Sequence, residues 1–391
     1  MSKYFQTFFS YAFRPFFLLN AIFAIVVMAL WVLALHGAAP ASLPANVTNW
    51  HAHEMLVGFA MAAIAGFILT AVATWTGRPA LRGAPLGLLV LAWLSGRLVM
   101  GMAGVLPSFW VAVVDMLFPV LLVLLVAREV IRGGSRRNYP IIFITVLLAV
   151  LNLMYHASNT GYLPMAANAD RIALYLLIHL VLLLITVISG RIIPNFTANW
   201  LREQGQTRLP HTGEFIDRAT ILLTIATGLF AAIVPLSLVT GVLALAAALL
   251  HAIRLSRWRG MATRSEPLLF VLHAAYLWLP VGYLMTGFAV FGWWIPPTAA
   301  LHALTAGAVS VMILAVTTRV ALAHTGRQLR AARLTVVAYW VLTLAAVLRI
   351  VSPLGSYYLL LLDVSIAGWI LAFMIFCWVY TPILTAPRVD E

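Results

Sequence analysis

The sequence predicts an all-α integral membrane protein of about twelve transmembrane helices, one polytopic domain over residues 1–391 with both termini in the cytoplasm. Three observations carry this reading. Of 391 residues, 63% are hydrophobic and only 9% are charged. A soluble domain carries roughly 25% charged residues, so a water-facing surface cannot be made and lipid must cover most of the chain. The apolar residues gather into runs near the ~20 residues that cross a bilayer, and the basic residues sit in alternate gaps between those runs.

The runs read as helices at 16–36, 54–76, 85–104, 108–127, 139–156, 171–189, 217–236, 238–253, 267–289, 297–318, 332–350 and 356–380. The first, Phe16 to Leu35, is followed by a mildly cleavage-like Ala38-Ala39-Pro40-Ala41. It is longer than the apolar stretch of a usual secretory signal, and it reads as the first membrane helix. A break at Pro235 separates the seventh run from the eighth. The longest gap, Pro194 to Ile216, is expected to hold a short interfacial helix around Phe196 to Arg202, where aromatic residues suit the headgroup level. No extramembrane domain is expected.

Charge sets the orientation. Lys3 is the only lysine, and the other 23 basic residues are arginines. Alternate gaps, with the tails, hold 21 of the 24 basic residues, leaving Arg171 and Arg349 on the other side and Arg97 inside a helix. Lysine and arginine resist translocation, so the bias predicts cytoplasmic termini and an even number of helices. The formal charge of +13 is no sign of nucleic acid here, because the arginines lie in short loops and not on an amphipathic module. The lone cysteine, Cys377, excludes an internal disulfide, a thiolate iron–sulfur cluster, a zinc finger and covalent CxxCH haem attachment. Any metal must use His, carboxylate, Met or Tyr.

An internal repeat is visible. His53 is followed five residues later by Gly58 and twenty-three later by Thr76-Gly77-Arg78. His302 is followed at the same offsets by Gly307 and by Thr325-Gly326-Arg327. The second and tenth helices are therefore equivalent. The sixth carries His179 and ends in Ser189-Gly190-Arg191, with different spacing; three pseudo-repeated four-helix units are one arrangement this suggests.

Ionisable groups inside a bilayer cost several kcal/mol and mark function. On the expected topology they crowd the outer half: His51, His53 and Glu54 at the start of the second helix, Arg97 on the third, Asp115 on the fourth, Asn152 and His156 one turn apart on the fifth. Arg171, Tyr175 and His179 form a stripe on the sixth helix, His302 lies on the tenth, and Arg349 and Asp363 are near the outer ends of the last two. A polar or metal-bearing chamber follows. Arg97 and Arg349 need anionic partners such as Asp115, Asp363 or cofactor carboxylates. His53, His179 and His302 are the candidate metal ligands, since neutral imidazole is the commonest metal ligand. His51 and His53 face different sides of a regular helix, so one ligates and the other supports or caps unless the helix starts irregularly. His36, His211 and His324 read as interfacial or loop residues, and His251 and His273 as bonded to neighbouring backbone or Ser groups. The aromatics suit either a haem wall or interfacial belts, and the belt is the default for Trp293 and Trp294.

The same segments carry a resemblance. Ala12-Phe13-Arg14-Pro15-Phe16-Phe17, Trp50-His51-Ala52-His53-Glu54-Met55, Trp75-Thr76-Gly77-Arg78-Pro79, Ser189-Gly190-Arg191, His302-Ala303-Leu304-Thr305-Ala306-Gly307 and His324-Thr325-Gly326-Arg327 together resemble the NnrS family of bacterial membrane proteins, over nearly the whole chain. The sixth helix ends in Ser-Gly-Arg-Ile-Ile-Pro-Asn-Phe-Thr, where Gly-Gly-Arg and Pro-Phe-Phe-Thr are expected. The resemblance implies a multi-pass protein of the bacterial inner (cytoplasmic) membrane that holds haem b, with copper as a further candidate, and serves nitric oxide metabolism under nitrosative stress. Carried over by residue, it makes His51, His53, His179 and His302 cofactor-ligand candidates and Glu54 a proton-transfer or supporting carboxylate. Arg78, Arg191, Arg319 and Arg327 become cytoplasmic anchors. Haem–copper oxidases and nitric oxide reductases offer an analogy of fold only; the adjacent His pair on the seventh helix is missing here.

The expected function is binding of nitric oxide with its reduction or detoxification, a haem oxidoreductase of the nitric oxide reductase type. Glu54 is its catalytic carboxylate, Arg97 and Arg349 are cofactor-binding, and the lipid bilayer is the setting. Reduction to nitrous oxide needs electrons that no soluble domain of this chain receives, so a quinol or another membrane donor is implied. The alternatives are a transporter or exporter of copper or a small nitrosylated species, and a non-catalytic haem or nitric oxide sensor. Neither the acidic signature of major facilitators nor an output domain is seen.

Overall fold

All twelve apolar runs are helical in the computed structural model, which describes residues 3–161 and 168–389. After a short helix at Lys3–Phe8 come α1 (Phe13–Leu35), α2 (Val47–Thr76), α3 (Ala84–Met100), α4 (Ser108–Arg132), α5 (Tyr139–Thr160) and α6 (Ala169–Glu203). They are followed by α7 (Glu214–Ile233), α8 (Leu238–Ser256), α9 (Pro267–Val290), α10 (Pro297–His324), α11 (Arg333–Val351) and α12 (Tyr358–Thr385). Eleven of these are long and apolar enough to cross a membrane; α3, with 17 residues, is apolar but shorter. No strand occurs among the described residues. The chain is an all-α, multi-pass membrane protein.

The two boundaries that differ most from the sequence reading do so for local reasons. Helix α2 starts at Val47, not 54, because Asn46 caps it: its Oδ1 accepts the Asn49 N–H at 3.1 Å. Trp50, His51 and His53 therefore already lie on the helix. At the other end, α6 does not stop at Ser189. It runs 35 residues to Glu203 with Pro194 inside, about 52 Å at 1.5 Å per residue. That exceeds a ~30 Å hydrocarbon core, so the expected interfacial helix around Phe196 is the continuation of α6. One proline forfeits one backbone bond, a loss membrane helices tolerate.

The repeat seen in the sequence is structural. Directly after His53, α2 widens into a seven-residue π-helix, Glu54–Ala60, before the α pattern resumes. Directly after His302, α10 does the same over Ala303–Val309. Gly58 and Gly307 both fall inside these turns. A π turn inserts a residue, breaks the i→i−4 ladder and is common at functional sites. Side chains take up the loosened carbonyls: Trp93 Nε1 donates to Gly58 O at 2.9 Å, and Ser310 Oγ to Thr305 O at 3.0 Å. Helix α6 has no such turn among its described residues.

The chain packs as two compact units, and α6, α10 and α12 each contribute to both. Residues 1–177, 320–327 and 376–391 form the first. In it α1 and α4 pack on α2, while α3 and α5 pack on α4. Small residues allow this closeness, as in membrane bundles generally: a Cβ at Gly66 of α2 would lie 2.9 Å from Phe16 Cβ of α1. Residues 178–319 and 328–375 form the second unit, where α7, α8, α9 and α10 pack in succession and α11 joins α10.

Candidate metal centre

In the first unit four helices deliver polar groups to one buried place. His53 and Glu54 come from the α–π junction of α2, Arg97 from the last turn of α3, Asp115 from α4, Asn152 and His156 from α5. All are buried, and His53, Asp115 and Asn152 completely so. His53 Nδ1 lies 2.9 Å from Glu54 Oε1, and its Nε2 lies 2.9 Å from Asn152 Oδ1 and 3.3 Å from Asp115 Oδ2. His156 Nε2 donates to Asp115 Oδ2 at 2.8 Å, and Asn152 Nδ2 donates to the same oxygen at 2.8 Å. Arg97 donates through Nη1 to Glu54 and through Nη2 to Asp115. Tyr155 stacks on the His53 ring at 4.6 Å.

Glycines make this approach feasible. A Cβ at Gly58 would sit 2.4 Å from Phe23 Cε1 and 2.9 Å from Arg97 Nη1. At Gly96 it would sit 2.8 Å from Asp115 Oδ1. The first of these glycines is in the π turn, so the irregular backbone and the guanidinium occupy space that only a bare Cα leaves.

The charges leave this site one cation short. Glu54 and Asp115 contribute two negative charges and Arg97 one positive. One more cation is needed for neutrality, and an uncompensated buried charge is costly. Both nitrogens of His53 face oxygen acceptors, since Asn152 spends its amide NH2 on Asp115. A doubly protonated imidazolium satisfies both and neutralises the group. A metal ion satisfies the same demand: ligand atoms of His53, Asp115 and His156 lie within 4.8 Å of one another. This buried His/Asp/His group can hold a metal ion, and it suits copper, zinc or iron(II), all of which accept imidazole with carboxylate.

The sequence-derived site residues divide between the units. His53, Glu54 and Arg97 belong to the cluster, and Asp115 is the anionic partner that Arg97 required. Asp115, Asn152 and His156 were noted as membrane polar groups but not as ligands. The i, i+4 spacing of Asn152 and His156 was the available signal. His51 faces away from His53 as a regular turn demands and stacks on Trp31 at 4.3 Å. In the second unit, His179 lies over Gly228, with Tyr283 stacked at 6.3 Å. Its Nδ1 is buried and has no hydrogen-bond partner. His302, half-buried, donates Nδ1–H to Thr298 O at 2.7 Å, leaving Nε2 as a lone-pair nitrogen. Ala299 and Ala303 beside it pack with Ile350, which seats the start of α10 on the end of α11 that carries Arg349.

A second buried network was missed. Arg254, counted with the loop arginines, is buried. It donates Nε to Asp217 at 2.5 Å, and Nη1 to Thr186 O at 2.7 Å and to Tyr276 Oη at 3.0 Å. His251 pairs with the Tyr276 and Thr224 hydroxyls, while His273 pairs through Nε2 with Thr197 and its Nδ1 is buried without a hydrogen-bond partner.

No curated protein matches the chain. The family model described as NnrS protein matches residues 7–388. The chain therefore belongs to the NnrS family, a membership that ties it to nitric oxide metabolism or the response to it.

Proposed function

We propose that this protein holds a metal ion and haem b in a bacterial inner (cytoplasmic) membrane and binds nitric oxide there, reducing or detoxifying it. The observation that carries the proposal is the buried His53–Asp115–His156 group in a chain of the NnrS family.

The donors around His53 suit a single ion, for which copper is our candidate. They do not suit a porphyrin at that ring, because protein oxygens already lie 2.9 Å from each of its nitrogens. Haem suits His302 better. An imidazole whose Nδ1–H is fixed by a backbone carbonyl presents Nε2 in the manner of metal-bound histidines. Arg349 would be a cation for a propionate, and His179, with its partnerless Nδ1, is the other candidate haem ligand. When bound, such groups supply a redox-active site for nitric oxide.

The chain's own groups do the rest. Glu54 accepts from His53 Nδ1 at 2.9 Å and so orients the ring, leaving Nε2, 3.3 Å from Asp115, as the nitrogen that would face an ion. Arg97 holds Glu54 and Asp115 in place through one guanidinium nitrogen each. Electrons for reduction come from quinol or another membrane donor. His51, stacked on Trp31, supports the helix start from outside the cluster.

The test is the absorption spectrum of the detergent-purified protein, reduced and then exposed to nitric oxide, with total iron and copper measured alongside. A haem band that shifts with nitric oxide, and metal in excess of haem iron, is the expected result. A colourless, metal-free protein would contradict it and favour a transporter.

A further inference from the structure

A cavity of about 540 Å³ opens in the first unit between the N-terminal segment, the turn after α2 and the end of the chain. Gln6, Ser10, Tyr11, Arg14, Arg82 and Arg388 are among its lining residues, and none of the lining residues is acidic. Its three walls are fixed to one another. Gly83 N–H donates to Phe9 O at 2.9 Å, tying the turn to the N-terminal segment. Arg14, itself buried, donates Nη1 to Leu384 O at 2.8 Å and Ala386 O at 2.6 Å. Val389 N–H reaches Thr325 O at 3.2 Å.

The cavity is therefore a formed, basic pocket. Nearby Glu129 is already engaged by Arg78 at 2.9 Å, whereas Arg82 makes no hydrogen bond or ion pair among the described residues. Three guanidinium groups around a cavity of this size match a phosphate group, which arginine forks bind through two oxygens at once. The pocket also lies at helix ends on the arginine-rich face, the level of lipid headgroups, and basic pockets between membrane helices bind anionic headgroups.

We propose that this pocket binds a phosphate-bearing anion, either the headgroup of an anionic phospholipid or a soluble phosphate compound. It is separate from the proposed metal centre and does not depend on it.

Two measurements on the full chain distinguish the sources. Native mass spectrometry after release from phosphatidylglycerol–phosphatidylethanolamine nanodiscs counts retained phosphatidylglycerol. Thermal unfolding of delipidated protein with inorganic phosphate, against chloride at equal ionic strength, reads the soluble source. The variants are Arg82→Gln alone and with Arg388→Gln; Arg14 is kept because its bonds hold the walls. A headgroup site predicts phosphatidylglycerol retention that falls about fivefold per arginine removed, near thirtyfold for the pair. A soluble-phosphate site predicts stabilisation by phosphate beyond chloride in the wild type and its loss in the variants. Arg82 is exposed, so the single variant folds even if the double does not. Equal phosphatidylglycerol retention in the wild type and Arg82→Gln, together with no effect of phosphate beyond chloride, would overturn the proposal.

Discussion

Arg97 on α3 donates to Asp115 on α4 with one terminal nitrogen and to Glu54 on α2 with the other, so one guanidinium ties three helices together inside the bilayer. Its removal strands two buried carboxylates. Arg97→Ala should cost about 3–5 kcal/mol, the usual penalty for breaking a buried ion pair from one side. Thermal unfolding in detergent reads this, and Arg97→Ala combined with Asp115→Asn should be less destabilised than the sum of the two singles.

Gly58 and Gly96 are predicted to be intolerant of even one methyl group. Gly58→Ala forces a Cβ onto Phe23 and Arg97 and should cost about 1–3 kcal/mol by overpacking. Gly96→Ala should act differently, pushing the Asp115 carboxylate aside and lowering metal content more than stability. Unfolding midpoints and metal analysis of the two variants check the contrast.

Asn152 accepts from His53 with Oδ1 and donates to Asp115 with Nδ2, which also reaches Met116 Sδ at 3.4 Å. Asn152→Ala should leave the ligands present and weaken metal binding about 10–100-fold, as loss of a supporting hydrogen bond does. Binding should also weaken as pH falls, because the imidazoles must shed protons to ligate. Competition with a chelator across pH measures both.

His302 and the His53 cluster should be separable. His302→Ala is expected to abolish haem absorption while the ion held by His53, Asp115 and His156 stays. His179→Ala should change the haem spectrum without removing the ion. Pyridine haemochrome and metal assays on the same preparations decide it.

The sequence made the helices legible because hydropathy and the arginine alternation are both averaged over many residues. It misplaced the start of α2, because Asn46 to Asn49 reads as loop until one sees Asn46 capping and Asn49 Nδ2 donating to Asp170 at 2.6 Å. The π turns leave no propensity signal; only the matched His-to-Gly offset pointed at two equivalent places. The Arg97–Asp115 pairing was readable from the demand for a buried counter-charge. For His156 the one-turn spacing from Asn152 marked a polar face of α5, but its pairing with Asp115 depends on α5 packing beside α4, which no local pattern encodes. Arg254 was misread for the opposite reason: it lies one turn from a loop, yet Gly190, where a Cβ would fall 1.8 Å from Arg254 Nη2, lets it turn inward.

The most direct test is metal per chain, by inductively coupled plasma mass spectrometry, for the wild type and His156→Ala, with folding verified by thermal unfolding. About one ion beyond haem iron in the wild type, and its loss in the folded variant, is the predicted result. A folded variant that keeps the wild-type metal content, or a wild type with none, would contradict a metal centre at His53, Asp115 and His156.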